Sequence, residues 1–159
     1  MTARIAPALA ALMMLSLWLG AAILVAAVVA PAAFAVLPTR TLAGALVGRV
    51  LLALFWAGML VGVAGVAIAR ATGVGMIAMA GSLITFLACA IAQLVISPRI
   101  ERIRAAIDGP VDGLPLTDPR RMEFGRLHGM SVLTMGIAAV GAVVALIVLT
   151  RFIATRSTP

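Results

Sequence analysis

Side chains that could carry chemistry are scarce in this sequence. The chain has one histidine, His128, and one cysteine, Cys89. A lone cysteine cannot form an intramolecular disulfide, and a lone histidine cannot build a multi-histidine metal centre. One histidine could still serve as an axial ligand of a haem, together with Met135 or a residue of a partner protein. The sequence therefore predicts no metal site and no cofactor, with haem left open.

The motifs of the common catalytic sites are also missing. The sequence contains no HExxH, no CxxC, no Gly-rich phosphate loop and no serine-based triad. All five carboxylate side chains lie between residues 101 and 123, outside the long apolar runs. Their position argues against a proton-coupled transporter that works through intramembrane carboxylates. We therefore expect a protein that is not an enzyme.

Four polar side chains interrupt the apolar runs near one end of the predicted bundle. Arg49, Gln93 and His128 lie in three different runs, and Ser131 shares a helix face with His128. An ionisable group within a membrane span indicates a functional site, here for a lipid headgroup, a haem propionate or a proton. The sequence favours a structural interpretation, in which Gln93 belongs to a helix-packing stripe with Ser82, Thr85, Cys89 and Ser97, and Arg49 reaches lipid phosphates.

The elements that would position these residues are membrane helices. Of the 159 residues, 64% are apolar and 11% are charged, which excludes both a globular soluble enzyme and a disordered chain. Charged residues separate four neutral runs, and each is long enough to cross about 30 Å of hydrocarbon as a helix. We predict an all-α integral membrane bundle, a single domain over residues 1–159. Its four transmembrane helices should cover about residues 8–33, 44–69, 74–96 and 126–151.

Prolines and turn residues indicate where these helices end. We expect Pro31 to bend or end the first helix, and Ser97–Pro98 to end the third. Residues 99–107 then predict a short amphipathic helix on the headgroup layer. Asp118–Pro119 is a typical helix start, with Asp as the N-cap and Pro at the first helical position. The arginines expected on lipid phosphates are Arg99, Arg102 and Arg104.

The distribution of arginine predicts the orientation. Arginine supplies all twelve basic residues, and the formal net charge is +7. Seven or eight of these arginines fall on the side of the loop 97–125, against four on the side of the termini. The positive-inside rule therefore places the loop in the cytoplasm and both termini outside. Topology and anionic lipids account for the charge, so no nucleic acid is expected as a partner.

Glycine pairs spaced four residues apart allow helices to approach closely. They predict tight packing either within the bundle or against another subunit. The pairs are Gly44 with Gly48, Gly58 with Gly62, and Gly125 with Gly129.

Several short motifs also point to a family. They are Ala30–Phe34, Leu37–Pro38, Ala43–Gly44, Gly48–Arg49, Ser97–Ile100 with Arg104, Phe124 and Leu127–His128. Together they resemble the small four-span membrane proteins of the transmembrane-protein-205-like group, whose bacterial members form a domain of unknown function. The resemblance covers nearly the whole chain. It implies a helical bundle in the bacterial inner membrane, without an established reaction, substrate or cofactor.

Two functions are therefore expected as alternatives. The first is a non-catalytic accessory subunit that packs against a larger membrane complex, such as a respiratory or photosynthetic one. The second is a stand-alone membrane protein that binds a lipid headgroup, haem or small ion at Arg49, Gln93 and His128, near the cytoplasmic face. The expected partners are the lipid bilayer and other membrane subunits.

Overall fold

Four long helical spans make up the part of this protein that the structure describes. The computed structural model describes the backbone of residues 2–157 and the side chains of residues 4–156. All four helices are long and apolar enough to cross a membrane, and the described residues form no strand. The predicted all-α bundle of four transmembrane helices is confirmed.

The four spans contain six α-helices. The first span consists of α1 (Thr2–Leu24), a π-helical turn (Val25–Val29) and α2 (Ala30–Val36). The second span is α3 (Arg40–Thr72). The third consists of α4 (Met76–Ile91), a π-helical turn (Ala92–Ile96) and α5 (Ser97–Ala105). The fourth is α6 (Pro119–Ser157), which follows a loop with a short 3-10 turn (Val111–Gly113).

Pro31 and Pro98 lie in the middle or late part of spans and do not end them. In a regular α-helix a proline ring clashes with the carbonyl four residues earlier. Each π turn ends two residues before a proline, Pro31 or Pro98, and its wider hydrogen bonds, such as Ala30 N–H to Val25 O, displace that carbonyl. The first helix therefore continues to Val36. The expectation that Ser97–Pro98 ends the third helix is wrong.

The segment 99–107 is consequently not a separate helix on the headgroup layer, as the sequence suggested. Its residues up to Ala105 belong to α5, which continues the third span directly and packs against α6. Ile100, Ile103 and Ile107 are half-buried. The isoleucine face seen in the sequence is therefore partly covered by the rest of the protein.

The spans form a closed ring of antiparallel neighbours. Each span packs against the next one in the chain, and α1 packs against α6. Connections of three residues join the first span to the second and the second to the third, which forces these neighbours to be antiparallel. Gly73 ends α3 in the left-handed conformation, with φ of 69°, and its N–H donates to Ala69 O. At the start of α6, Asp118 Oδ1 accepts the Arg120 N–H at 2.8 Å, which confirms the predicted N-cap.

Glycines bring the helix backbones together at two crossings. A Cβ at Gly62 would lie 2.7 Å from the backbone nitrogen of Phe86, where α3 crosses α4. A Cβ at Gly81 would lie 2.6 Å from the carbonyl oxygen of Gly141, where α4 crosses α6. Real Cβ atoms do not tolerate such distances, so any side chain at these positions would separate the helices.

The three predicted glycine pairs lie in three different environments. Gly58 and Gly62 are both buried in the crossing of α3 with α4. Gly44 and Gly48 face the Arg104 side chain. At Gly125 and Gly129 a Cβ would meet no described atom within 4 Å, so these two do not pack inside the bundle. The crossing of Gly81 with Gly141 was not predicted, although Gly141-x₃-Ala145 carries the same small-residue signal.

Candidate functional site at the loop end

The four residues of the predicted polar cluster divide into two groups. Gln93 and Ser131 are buried, whereas Arg49 and His128 are exposed on the outside of the bundle. No hydrogen bond or ion pair joins any two of these four side chains in the described part of the chain. The structure therefore does not join the four side chains into one site, and only Gln93 and Ser131 lie in the interior.

The depths of these residues follow from the helix contacts. Gly62 lies opposite Phe86, and Gly44 lies opposite Arg104, so antiparallel pairing places Arg49 opposite Arg99. Gln93 is six residues deeper, which corresponds to about 9 Å along the helix. Arg49 is therefore nearer to the loop end than Gln93.

Polar residues of α6 lie at the same depth as Gln93. Thr85 Oγ1 donates to Ala138 O, and the same antiparallel pairing places Gln93 opposite Met130. His128 and Ser131 lie within one turn of Met130. The sequence predicted that Arg49, Gln93 and His128 share one level. By helix register His128 lies near the level of Gln93 and Arg49 does not, and the His128 side chain is exposed.

Gln93 is the unusual polar residue of this region. It lies in the second π turn and is 9% exposed. Its Oε1 atom is buried and accepts no hydrogen bond within the described structure. An unpaired acceptor in a protein interior costs about 1–3 kcal/mol. The atom can therefore accept a hydrogen bond from a small donor group.

Ser82, Thr85 and Cys89 share a polar stripe of the third span with Gln93, and the two hydroxyl groups are paired with backbone carbonyls. Ser82 Oγ donates to Ala78 O at 3.0 Å, and Thr85 Oγ1 lies 3.1 Å from both Gly81 O and Ala138 O. Cys89 is fully buried close to Gly58. These residues support the packing interpretation for this part of the stripe.

Arg104 forms a junction between three helices that the sequence did not predict. Its Nη1 donates to Glu101 at 3.0 Å, and its Nη2 lies 3.5 Å from Gly44 O. The guanidinium also lies 5.5 Å from the centre of the Phe124 ring, in cation–π range. Because Gly44 and Gly48 have no side chains, the guanidinium can lie against α3. Arg104 therefore ties α5 to α3 and α6, and is only partly available to lipid.

The other two arginines expected on lipid phosphates are exposed. Arg99 and Arg102 both lie on the outside of α5, and Arg102 Nε donates to Pro98 O at 3.3 Å. Arg49 is exposed on the outer face of α3, between Leu46 and Leu52. The geometry of all three is compatible with contacts to headgroups.

The loop before α6 is held by arginine contacts to its backbone and carboxylates. Arg121 donates to Asp112 O and Leu114 O. Arg120 pairs with Asp118 at 2.9 Å, and this bond lowers the pKa of Asp118 from 3.8 to about 2. The carboxylate that caps α6 therefore stays ionised at neutral pH. Among the described residues, no three His, Cys, Asp or Glu side chains form a group able to hold a metal ion.

Comparison with known proteins places this bundle in a family. A model of the family described as a domain of unknown function, DUF4149, matches residues 13–108. The matched segment contains most of the first span, the second and third spans, and the Arg104 junction except for Phe124. No curated protein and no solved structure matches the chain significantly. The match covers more than half of the chain, which therefore belongs to the DUF4149 family.

Proposed function

We propose that this protein is a non-catalytic membrane subunit that packs against a helix of a larger assembly through the outer face of α6. The observation that supports this role is a row of exposed glycines, Gly125, Gly129 and Gly136. A Cβ at any of the three would meet no described atom within 4 Å. Their spacing places them on one helix face, and such a face allows a second helix to approach closely.

Three finer points belong to the same proposal. The assembly is a respiratory or photosynthetic complex, and the membrane is the bacterial inner membrane. The relatives of this protein include the transmembrane-protein-205-like group. All three rest on the sequence motifs and on the composition of the chain.

The proposal is tested by Gly129→Leu in protein extracted gently from its own membrane. The bulky side chain should block the partner helix while leaving the bundle intact, because Gly129 has open space around it. We expect the partner polypeptides to be lost and the native mass to fall towards that of the 16.2 kDa chain. Native mass spectrometry identifies the bound polypeptides, and gel filtration measures the native mass.

Gly20→Leu is the matched control. Gly20 is also exposed and also has no described atom within 4 Å of an added Cβ, but it lies on α1. This variant should retain the partners. If Gly129→Leu keeps the same partners as the wild type, the proposed interface is wrong. Gly58 and Gly62 are unsuitable for this test because substitution there would disrupt the bundle itself.

A second candidate function is supported by the unpaired Oε1 of Gln93. In this alternative a small molecule or headgroup with a hydrogen-bond donor reaches Gln93 between the third and fourth spans, close to Ser131 and His128. Gln93 also lies in a π turn. Such turns are frequent at functional sites, which supports this alternative.

A further inference from the structure

A shallow groove on the outer face of α6 ends at an arginine. The groove has a volume of about 330 Å³. Thr150 contributes a hydroxyl that already donates to Leu146 O at 2.8 Å. The guanidinium of Arg151 forms no hydrogen bond or ion pair with any described residue. The lining residues are Val143, Leu146, Ile147, Thr150 and Arg151.

The termini end of the bundle contains positive charge without carboxylate side chains. Arg4, Arg70, Arg151 and Arg156 lie at this end, whereas every Asp and Glu lies between residues 101 and 123. Arg156 is engaged over the Phe152 ring, 4.2 Å from its centre. Arg151 therefore has no acidic side chain at this end of the bundle as its counter-ion, and an anionic ligand could take that place.

The depth of Arg151 matches that of lipid phosphates. A neutral run of 24 residues separates Arg126 from Arg151. As a helix this run is about 36 Å long, slightly more than the hydrocarbon thickness of about 30 Å. With Arg126 at one boundary, Arg151 lies at the other, in the headgroup layer, while Val143 and Ile147 lie among the acyl chains.

A second groove lies between α3 and α4, without an arginine in its lining. It has a volume of about 250 Å³ and an entirely apolar lining. Ala67, at one end of the groove, is followed three residues later by Arg70, which is exposed and lies at the termini end. The groove is lined by Val63, Val66, Ala67, Leu83 and Phe86.

We propose that the α6 groove binds an anionic phospholipid from the leaflet on the side of the termini. The phosphate pairs with Arg151, and one acyl chain lies along Val143, Leu146 and Ile147. The positive charge selects an anionic headgroup, and the apolar lining selects a lipid over a soluble phosphate. This site goes beyond the proposed subunit role, because the chain can bind lipid with or without a partner.

The groove and the glycine row share one face of α6, at different depths. Ile147 lies eighteen residues beyond Gly129, which corresponds to about 27 Å. A partner helix that crosses at Gly129 with the angle of about −40° typical of glycine contacts has diverged from α6 at that distance. Lipid can therefore occupy the groove in the presence of the partner.

The test is a lipid titration of the purified chain, followed by native mass spectrometry. Phosphatidylglycerol and phosphatidylcholine with identical acyl chains are compared. We expect the wild type to bind phosphatidylglycerol more tightly. Arg151→Gln should weaken phosphatidylglycerol binding about fivefold. It should weaken phosphatidylcholine binding less, because the choline cation already balances the phosphate of that lipid. Ile147→Trp, which fills the groove, should weaken the binding of both lipids.

Arg156→Gln is the matched control, since it removes the same charge from the same helix end but not from the groove. It should retain phosphatidylglycerol affinity. The proposal is overturned if Arg151→Gln binds phosphatidylglycerol like the wild type, or if Arg156→Gln loses as much affinity. Because partner proteins are absent from this titration, its result is independent of the Gly129→Leu experiment.

Discussion

At the scale of single residues, almost every buried polar side chain that the structure describes has a hydrogen-bond partner. Ser82 and Thr85 donate to backbone carbonyls, and the Trp18 indole N–H donates to Leu54 O at 2.9 Å. Gln93 Oε1 is the exception among the buried side-chain atoms that the structure describes. Lipid offers no water to pair with it, so its energetic cost remains unless a ligand donates a hydrogen bond.

This imbalance predicts that Gln93→Leu stabilises the purified protein. The substitution replaces an unpaired acceptor with an apolar group of similar size, and the gain should be about 1–3 kcal/mol. The melting temperature in detergent would rise. Thr85→Val serves as the comparison, because it removes a donor to Ala138 O and should lower the melting temperature. A decrease for Gln93→Leu, together with loss of a co-purifying molecule, would instead support the second candidate function.

At the scale of elements, the loop end depends on how two helices accommodate proline. The π turns before Pro31 and Pro98 let the first and third spans continue beyond these residues. As a result α5 extends alongside α6 and delivers Arg104 to the surface of α3 at Gly44. A chain that broke at Pro98 would have left Arg104 free for the headgroup layer.

Arg104 should therefore hold α5 in place. Arg104→Met keeps much of the aliphatic length but removes the contacts to Gly44 O, Glu101 and the Phe124 ring. The loss of about 1 kcal/mol expected for such contacts corresponds to about fivefold faster amide hydrogen exchange in α5, measured by mass spectrometry. Arg102→Met is the control, since Arg102 contacts only Pro98 O of its own helix among the described residues. If amide hydrogen exchange in α5 is equally fast in both variants, Arg104 does not hold α5 in place.

At the scale of the whole molecule, the two ends of the bundle differ in how their charge is compensated. The loop end contains three arginine–carboxylate pairs, at Glu101, Asp118 and Glu123. The termini end has arginines and no Asp or Glu. The positive-inside rule counts basic residues rather than net charge, so the loop end remains the expected cytoplasmic end.

This orientation predicts the labelling of introduced cysteines in intact cells. The native Cys89 is fully buried and should not react with an impermeant maleimide. Ala154→Cys, exposed at the termini end, should be labelled from outside. Asp112→Cys, exposed in the loop, should be labelled only after the membrane is permeabilised. The opposite pattern would show that the loop is outside.

The sequence by itself determined the four spans and the start of the last one. Long neutral runs are sufficient for the first prediction, because a chain in lipid must satisfy its backbone hydrogen bonds within each helix. Asp118 and Pro119 are sufficient for the second, since N-capping involves only neighbouring residues. These are local effects, and no knowledge of helix contacts is needed to predict them.

Only the tertiary structure decided which residues meet. Periodicity shows that Arg49 and His128 each lie on some helix face, but not that both faces point away from the bundle. It shows glycine pairs, but not that Gly81 meets Gly141 while an added Cβ at Gly129 would meet no described atom within 4 Å. The physical reason is that the rotation and crossing of each helix are set by packing against its neighbours. That packing brought Arg104 onto Gly44, sixty residues earlier in the chain.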